Sequence, residues 1–190
     1  MAKEMRNALL LAKAQTGLGT PATLTAGANA ILCRALTPSP INAEFVERTL
    51  VRAAKGNYGA IVASEHQVFE FEVELAGSGA AGTAPKYGPL LLGCDLSETV
   101  SAGVSVVYQP IAGVGSYLTL QAYLDGVLFQ MTDAKGTVSF ALNAEEIPVM
   151  KFQFIGKYAA VTDATFPTGA SFSGFTQPVT VGHANTRSEE

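Results

Sequence analysis

The stretch Gln67-Val68-Phe69-Glu70-Phe71-Glu72-Val73-Glu74-Leu75 decides the fold class. Side chains of an extended chain alternate between faces, so Phe69, Phe71, Val73 and Leu75 point one way while Glu70, Glu72 and Glu74 point the other. One buried face and one wet face mark a strand of an antiparallel sheet, because a parallel strand covered on both sides is almost continuously apolar. Phe69 and Phe71 are therefore predicted core residues.

Outward from this strand the same grammar recurs. Leu118, Leu120, Ala122 and Leu124 lead to Asp125-Gly126, and Val127-Leu128-Phe129 returns. Asp-Gly between apolar runs favours a two-residue hairpin turn whose central residues both accept positive φ. Val104–Tyr108, Thr137–Leu142 and Val149–Ile155 read as further strands, with Phe140 and either Phe152 or Phe154 expected in the core. Ala30–Leu36 and Glu44–Arg52 are weaker strands, the second followed by a Gly56-Asn57-Tyr58-Gly59 turn. One short helix is predicted near residues 89–95, with Pro89 in its first turn and Leu90, Leu91, Leu92 and Cys94 on its apolar face. The expected fold is all-β with one short helix, an antiparallel β-sandwich or barrel over residues 30–161. Extended arms are expected over 1–29 and 162–190, where small and polar residues dominate.

Composition bounds the function. Of 190 residues, 48% are hydrophobic and 15% charged, which excludes disorder along the whole chain. The net charge of −4 argues against a nucleic-acid binder that works by neutralising phosphates. Charge is unevenly placed: residues 1–55 carry seven basic and three acidic side chains, net +4, and residues 56–190 carry five and thirteen, net −8. Arg6, Lys13, Arg48 and Arg52 are the basic residues that could dock on the acidic body of another copy. The apolar run Ala8–Ala12 is too short for the core of a signal peptide, so the segment reads as mature chain, and no stretch is long enough for a membrane span.

No catalytic constellation emerges. Gly77-Ser78-Gly79-Ala80-Ala81-Gly82 spells GxGxxG after a strand, but Pro85 and Pro89 follow where a dinucleotide fold needs a helix. A surface loop is the better reading. Ser64-Glu65-His66 are consecutive, whereas a triad is assembled across space. Cys33 and Cys94 sit in no CxxC pattern, so both are expected as buried free thiols. No cofactor, metal site or enzymatic activity is predicted. The row of Glu70, Glu72 and Glu74 reads as a solvated strand face or as a deliberately negative surface.

The run EFEVELAGSGAAGTAPKYGPLL from Glu70 to Leu91 resembles the major tail tube protein of long-tailed phages with non-contractile tails. In that family an acidic strand, a Gly-Ser-Gly loop and a short Tyr-Gly-Pro-Leu-Leu helix occur together. Ala43–Leu50, Tyr123–Leu128, Gly136–Asn143 and Val149–Tyr158 resemble it too, so the likeness covers most of residues 43–160. It implies a structural virion protein whose hexameric rings stack into a hollow tube that conducts DNA without binding it specifically. Glu70, Glu72 and Glu74 would face the lumen, and Gly77, Ser78, Gly79, Gly82, Pro85 and Tyr87 would form an inter-subunit loop. Partners would be further copies, the tape measure, the tail tip or baseplate and the tail terminator, in a virion assembled in the bacterial cytoplasm. The alternatives are another phage β-protein, such as a tail terminator or head–tail joining subunit, and a ligand- or carbohydrate-binding β-sandwich.

Overall fold

The computed structural model describes residues 7–51 and 59–182. Its elements in chain order are β1 (Ala8–Ala14), α1 (Ala26–Asn29), β2 (Ala30–Ile31), β3 (Arg34–Val46), β4 (Ile61–Glu74), α2 (Gly88–Gly93), β5 (Leu96–Ser101), β6 (Ser105–Pro110), β7 (Leu118–Leu124), β8 (Val127–Ala141), β9 (Val149–Tyr158) and β10 (Thr162–Asp163). The main sheet runs β2-β1-β7-β8-β9-β4-β3, with β10 added to β8, and every pairing in it is antiparallel. β5 and β6 form a separate hairpin. The fold is all-antiparallel β, as the alternation predicted. The layer over the sheet consists of α2 and the β5–β6 hairpin, whose Leu90, Leu91, Leu96 and Tyr108 join the core formed by the strands.

The deciding strand sits where its pattern requires. β4 pairs with β9 so that Phe69 lies opposite Phe154, Phe71 opposite Phe152 and Val73 opposite Met150. All six side chains are buried, and the rings of Phe71, Phe152 and Phe154 stack at centroid separations of 5.6–6.0 Å. Burying each such ring contributes about 1.5–3 kcal/mol, and aromatic pairs in this geometry add about 0.5–1.5 kcal/mol. Asp125 and Gly126 have φ of 42° and 83°, the two positive values that the predicted hairpin turn demands.

Three expectations are corrected. Residues 8–14, assigned to an arm, are an interior strand between β2 and β7. Leu10 and Ala12 face the main core, while Leu9 and Leu11 face a second cluster with Ala26, Ala30, Tyr123 and Phe166. Both faces are covered, so this strand shows a continuous apolar run in place of alternation. Phe140, expected in the core, is 54% exposed. It shares a face with buried Met150, but β7 begins opposite Ala134, so β8 has no β7 neighbour from Lys135 onward. Finally, the strand expected over Glu44–Arg52 ends at Val46. Arg52 and residues 56–58 of the predicted turn lie outside the described residues.

Candidate functional site

Two surfaces present themselves: the polar face of β4 and its neighbours, and a hairpin that projects beyond the sheet. On the first, Glu70, Glu72 and Glu74 point away from the core as predicted. Cross-strand register places Arg34 of β3 and Lys151 of β9 directly beside Glu72. Arg34 Nε donates to Glu72 Oε2 at 2.8 Å, and Lys151 Nζ lies 3.4 Å from Glu72 Oε1. Arg34 first, and then Lys151, hold the Glu72 carboxyl below its usual range. Glu70 is exposed and accepts a bond from Gln153 Nε2 at 2.7 Å. Glu74 borders a small cleft of about 170 Å³ with Cys33, Lys86 and Phe175.

The Gly-rich loop after β4 rests on its own chain. The Thr176 hydroxyl donates to the carbonyl of Gly77, and Ser78 closes a local turn with Ala80. Gly82 has φ +65°, and a Cβ there would stand 2.3 Å from Gly103 N and 2.4 Å from Ser101 O. This glycine thus lets the loop meet the β5–β6 turn backbone to backbone, the close approach that glycine alone permits. Gly77 and Pro85 border the same small cleft as Glu74, and Gly79 is exposed. Tyr87 departs from the expectation of an inter-subunit contact. It is 6% exposed, packs in the main core and donates its hydroxyl to Ala76 O at 2.8 Å. Pro85, Gly88 and Pro89 around it read as loop residues in the sequence and hid the fact that the chain dives inward here.

Among the basic candidates, Lys13 donates to Thr23 O at 3.1 Å from an exposed position at the end of β1. Arg48 lies on the exposed segment just after β3, and Arg6 and Arg52 fall outside the described residues.

The second surface is the distal half of the β3–β4 hairpin. β4 pairs with β9 only from His66 onward, so among the described residues Ile61–Glu65 carry β3 as their sole strand partner. Phe45 stands opposite Val62 and Val46 opposite Ile61. All four side chains are about half exposed or more, from 49% at Val62 to 63% at Phe45. Leu50 and Val51, beyond the end of β3, are exposed as well.

Chemistry-bearing residues are otherwise dispersed. Among the described residues no group of three or more His, Cys, Asp and Glu side chains is placed to hold a metal ion. Cys33 and Cys94 are free, and burial pushes each thiol up to about 12, which makes them poor nucleophiles. No helix among the described residues is long and apolar enough to cross a membrane.

No protein-family model matches the sequence, and neither does any curated protein. Solved structures similar to this chain include the tube-terminating cap of the anti-feeding prophage, at 10% identity and a TM-score of 0.48 over 86% of this chain and 93% of that one. The tail of an empty GTA particle aligns at 11% identity and 0.47, over 86% and 100%. The sheath–tube complex of an extracellular contractile injection system, PVC, aligns at 10% and 0.43, over 82% and 88%. At TM-scores below one half these likenesses carry no argument about what this chain does.

Sequence reading missed Arg34, Lys151 and Gln153 as partners of the acidic row. The alternation around Met150–Ile155 does put Lys151 and Gln153 on an outward face. What it lacks is the register between strands, and register alone says which cation meets which acid.

Proposed function

We propose that this chain is a structural virion protein, the tail tube subunit of a long-tailed phage, whose hexameric rings stack into a conduit for DNA. The observation that carries the reading is the projecting β3–β4 hairpin with Phe45, Val46, Ile61 and Val62 in cross-strand register and open to solvent. Phe45 and Val62 share one face of this ribbon and Val46 and Ile61 the other, and large apolar side chains exposed together on both faces of a projecting element mark an interaction site. It occupies one end of β4, while the other end of that strand carries a different surface, the cleft beside Glu74 and Gly77. An interface between unlike surfaces is head-to-tail, and head-to-tail contacts generate closed rings or open filaments. The sequence likeness to the tail tube family across most of residues 43–160 supports this reading of the assembly. Tape measure, tail tip and terminator would then be partners at the lumen and the two tube ends, within a virion assembled in the host cytoplasm.

Size-exclusion chromatography and negative-stain microscopy of the purified chain test the proposal. Rings or tubes with a central hole are expected. The double substitution Phe45→Asp with Val62→Asp should leave a folded, soluble subunit with unchanged circular dichroism that no longer assembles. A wild-type chain that stays monomeric at high concentration, and melts higher on adding a sugar or other small ligand, would overturn the proposal in favour of a binding module.

A further inference from the structure

The polar face of β3, β4, β9 and the far half of β8 forms a shallow groove of about 570 Å³ bordered by Thr37, Glu70, Glu72, Ser139, Lys151 and Gln153. Glu70, Glu72 and Lys151 line the groove; on the same outward face Glu74 and Arg34 flank it, and Lys157 of β9 and Glu44 of β3 lie further along. Four acids meet three bases, so the face is close to balance even though the chain carries −4. The arrangement is also uneven. Glu72 alone engages two cations, Arg34 on one side and Lys151 on the other, whereas Glu70 is held by the neutral amide of Gln153.

We propose that Glu72 occupies Arg34 and Lys151 and thereby keeps this face from binding the phosphates of double-stranded nucleic acid. The inference rests on the reading of the face as the wall of a DNA conduit. An unoccupied arginine or lysine on such a wall attracts phosphate, and each contact releases counterions and adds to affinity. A bare carboxylate row would avoid this by repulsion alone. Here the face instead carries two exposed cations, with side chains about half open to solvent, whose charge is taken up by one carboxylate between them. Passing phosphates then find neither a strong attraction nor a strong barrier. Exposed ion pairs contribute little to stability, so the fold does not depend on this bridge, and the role left for it is to set the charge that the face presents.

The test compares two variants that change net charge equally. Glu72→Gln releases both cations, and Glu70→Gln releases neither. Binding of each to a fluorescently labelled DNA duplex is followed by anisotropy across a salt series, with circular dichroism to confirm folding. At ~50 mM salt Glu72→Gln should bind about tenfold or more tightly than Glu70→Gln, with a log–log salt slope steeper by up to ~2, near 0.9 for each phosphate engaged. Adding Lys151→Met to Glu72→Gln should remove most of the gain. A second route avoids any change of net charge: Glu72→Asp, too short to reach both cations, should also bind duplex more tightly than the wild type. Equal affinities and slopes for Glu72→Gln and Glu70→Gln would overturn the inference, as would wild-type binding by Glu72→Asp. Negative-stain images of the same preparations separate the two readings. Tubes without a difference between the variants leave the conduit standing and reject the role of Glu72. A difference between the variants without rings or tubes rejects the conduit instead.

Discussion

Phe71 and Phe140 are the same residue type on core-side faces of neighbouring hairpins, and the fold treats them in opposite ways. Phe71 is buried among Phe152 and Phe154, while Phe140 lies on a stretch of β8 that β7 does not reach. Removing the first ring leaves a cavity that rigid neighbours cannot fill, so Phe71→Ala should cost about 3–5 kcal/mol in chemical denaturation. Phe140→Ala should shift the same midpoint by no more than ~0.5 kcal/mol in the lone subunit, as other exposed positions do. Similar losses from both substitutions would show that β8 is covered by something the isolated chain does not contain. Asp95 supplies the residue-scale pH dependence. It takes a left-handed φ of 59° just after α2, and its Oδ1 accepts from Lys135 Nζ and from Gly115 N. The bond from Lys135 is the main cause that holds its carboxyl below the ordinary 3.8. A depressed pKa in the folded state means stability that is present above the unfolded value and lost as pH falls through the folded one. Asp95→Asn should therefore lower the melting temperature near neutral pH, with the gap closing as pH falls below the ordinary carboxylate range. A gap that persists undiminished in acid would exclude the charge of Asp95 as its source.

At the scale of elements, the packing of loops and helix decides what local patterns mean. The GxGxxG run has the spacing of a phosphate loop, yet Gly82 serves the contact with the β5–β6 turn at Ser101–Gly103. Gly82→Ala combines a left-handed φ with a backbone clash, so the loop must lift off that turn. Native-state hydrogen exchange should register faster amides over residues 77–83 and 101–104 in this variant, together with a lower melting temperature. Unchanged exchange in both segments would mean that the loop does not rest on the turn in solution. α2 persists at six residues because it is not an isolated helix. Leu90 and Leu91 are buried, and at Gly93 the backbone comes so close to Leu118 and Phe154 that an added Cβ would lie 2.6 Å from one and 2.9 Å from the other. Tertiary packing replaces the length that such a helix would need in water.

For the whole molecule the contrast lies between an N-terminal strand that is locked in and a hairpin that is left out. β1 is flanked by β2 and β7 and buried on both faces, so amides of Leu10 and Leu11 should exchange slowly even in a dispersed subunit. The exposed segment of Glu47–Val51 should exchange fast in the dispersed subunit and become protected on assembly. Equal protection of that segment in both states would argue that the hairpin end is not part of the assembly interface.

Strand identity was legible wherever one face is dry and the other wet. β4, β7, β9 and the β7–β8 turn follow from alternation and from Asp125-Gly126, because those patterns depend on residues adjacent in sequence. So does the helix near Pro89, found at Gly88–Gly93. Only the tertiary structure decided the rest. Burial of both faces of β1, exposure of Phe140, inward placement of Tyr87 and the meeting of Arg34, Glu72 and Lys151 each depend on which strand lies beside which, and in what register. Register is set by the simultaneous packing of residues far apart in the chain, from Arg34 to Lys151, and no local pattern encodes it.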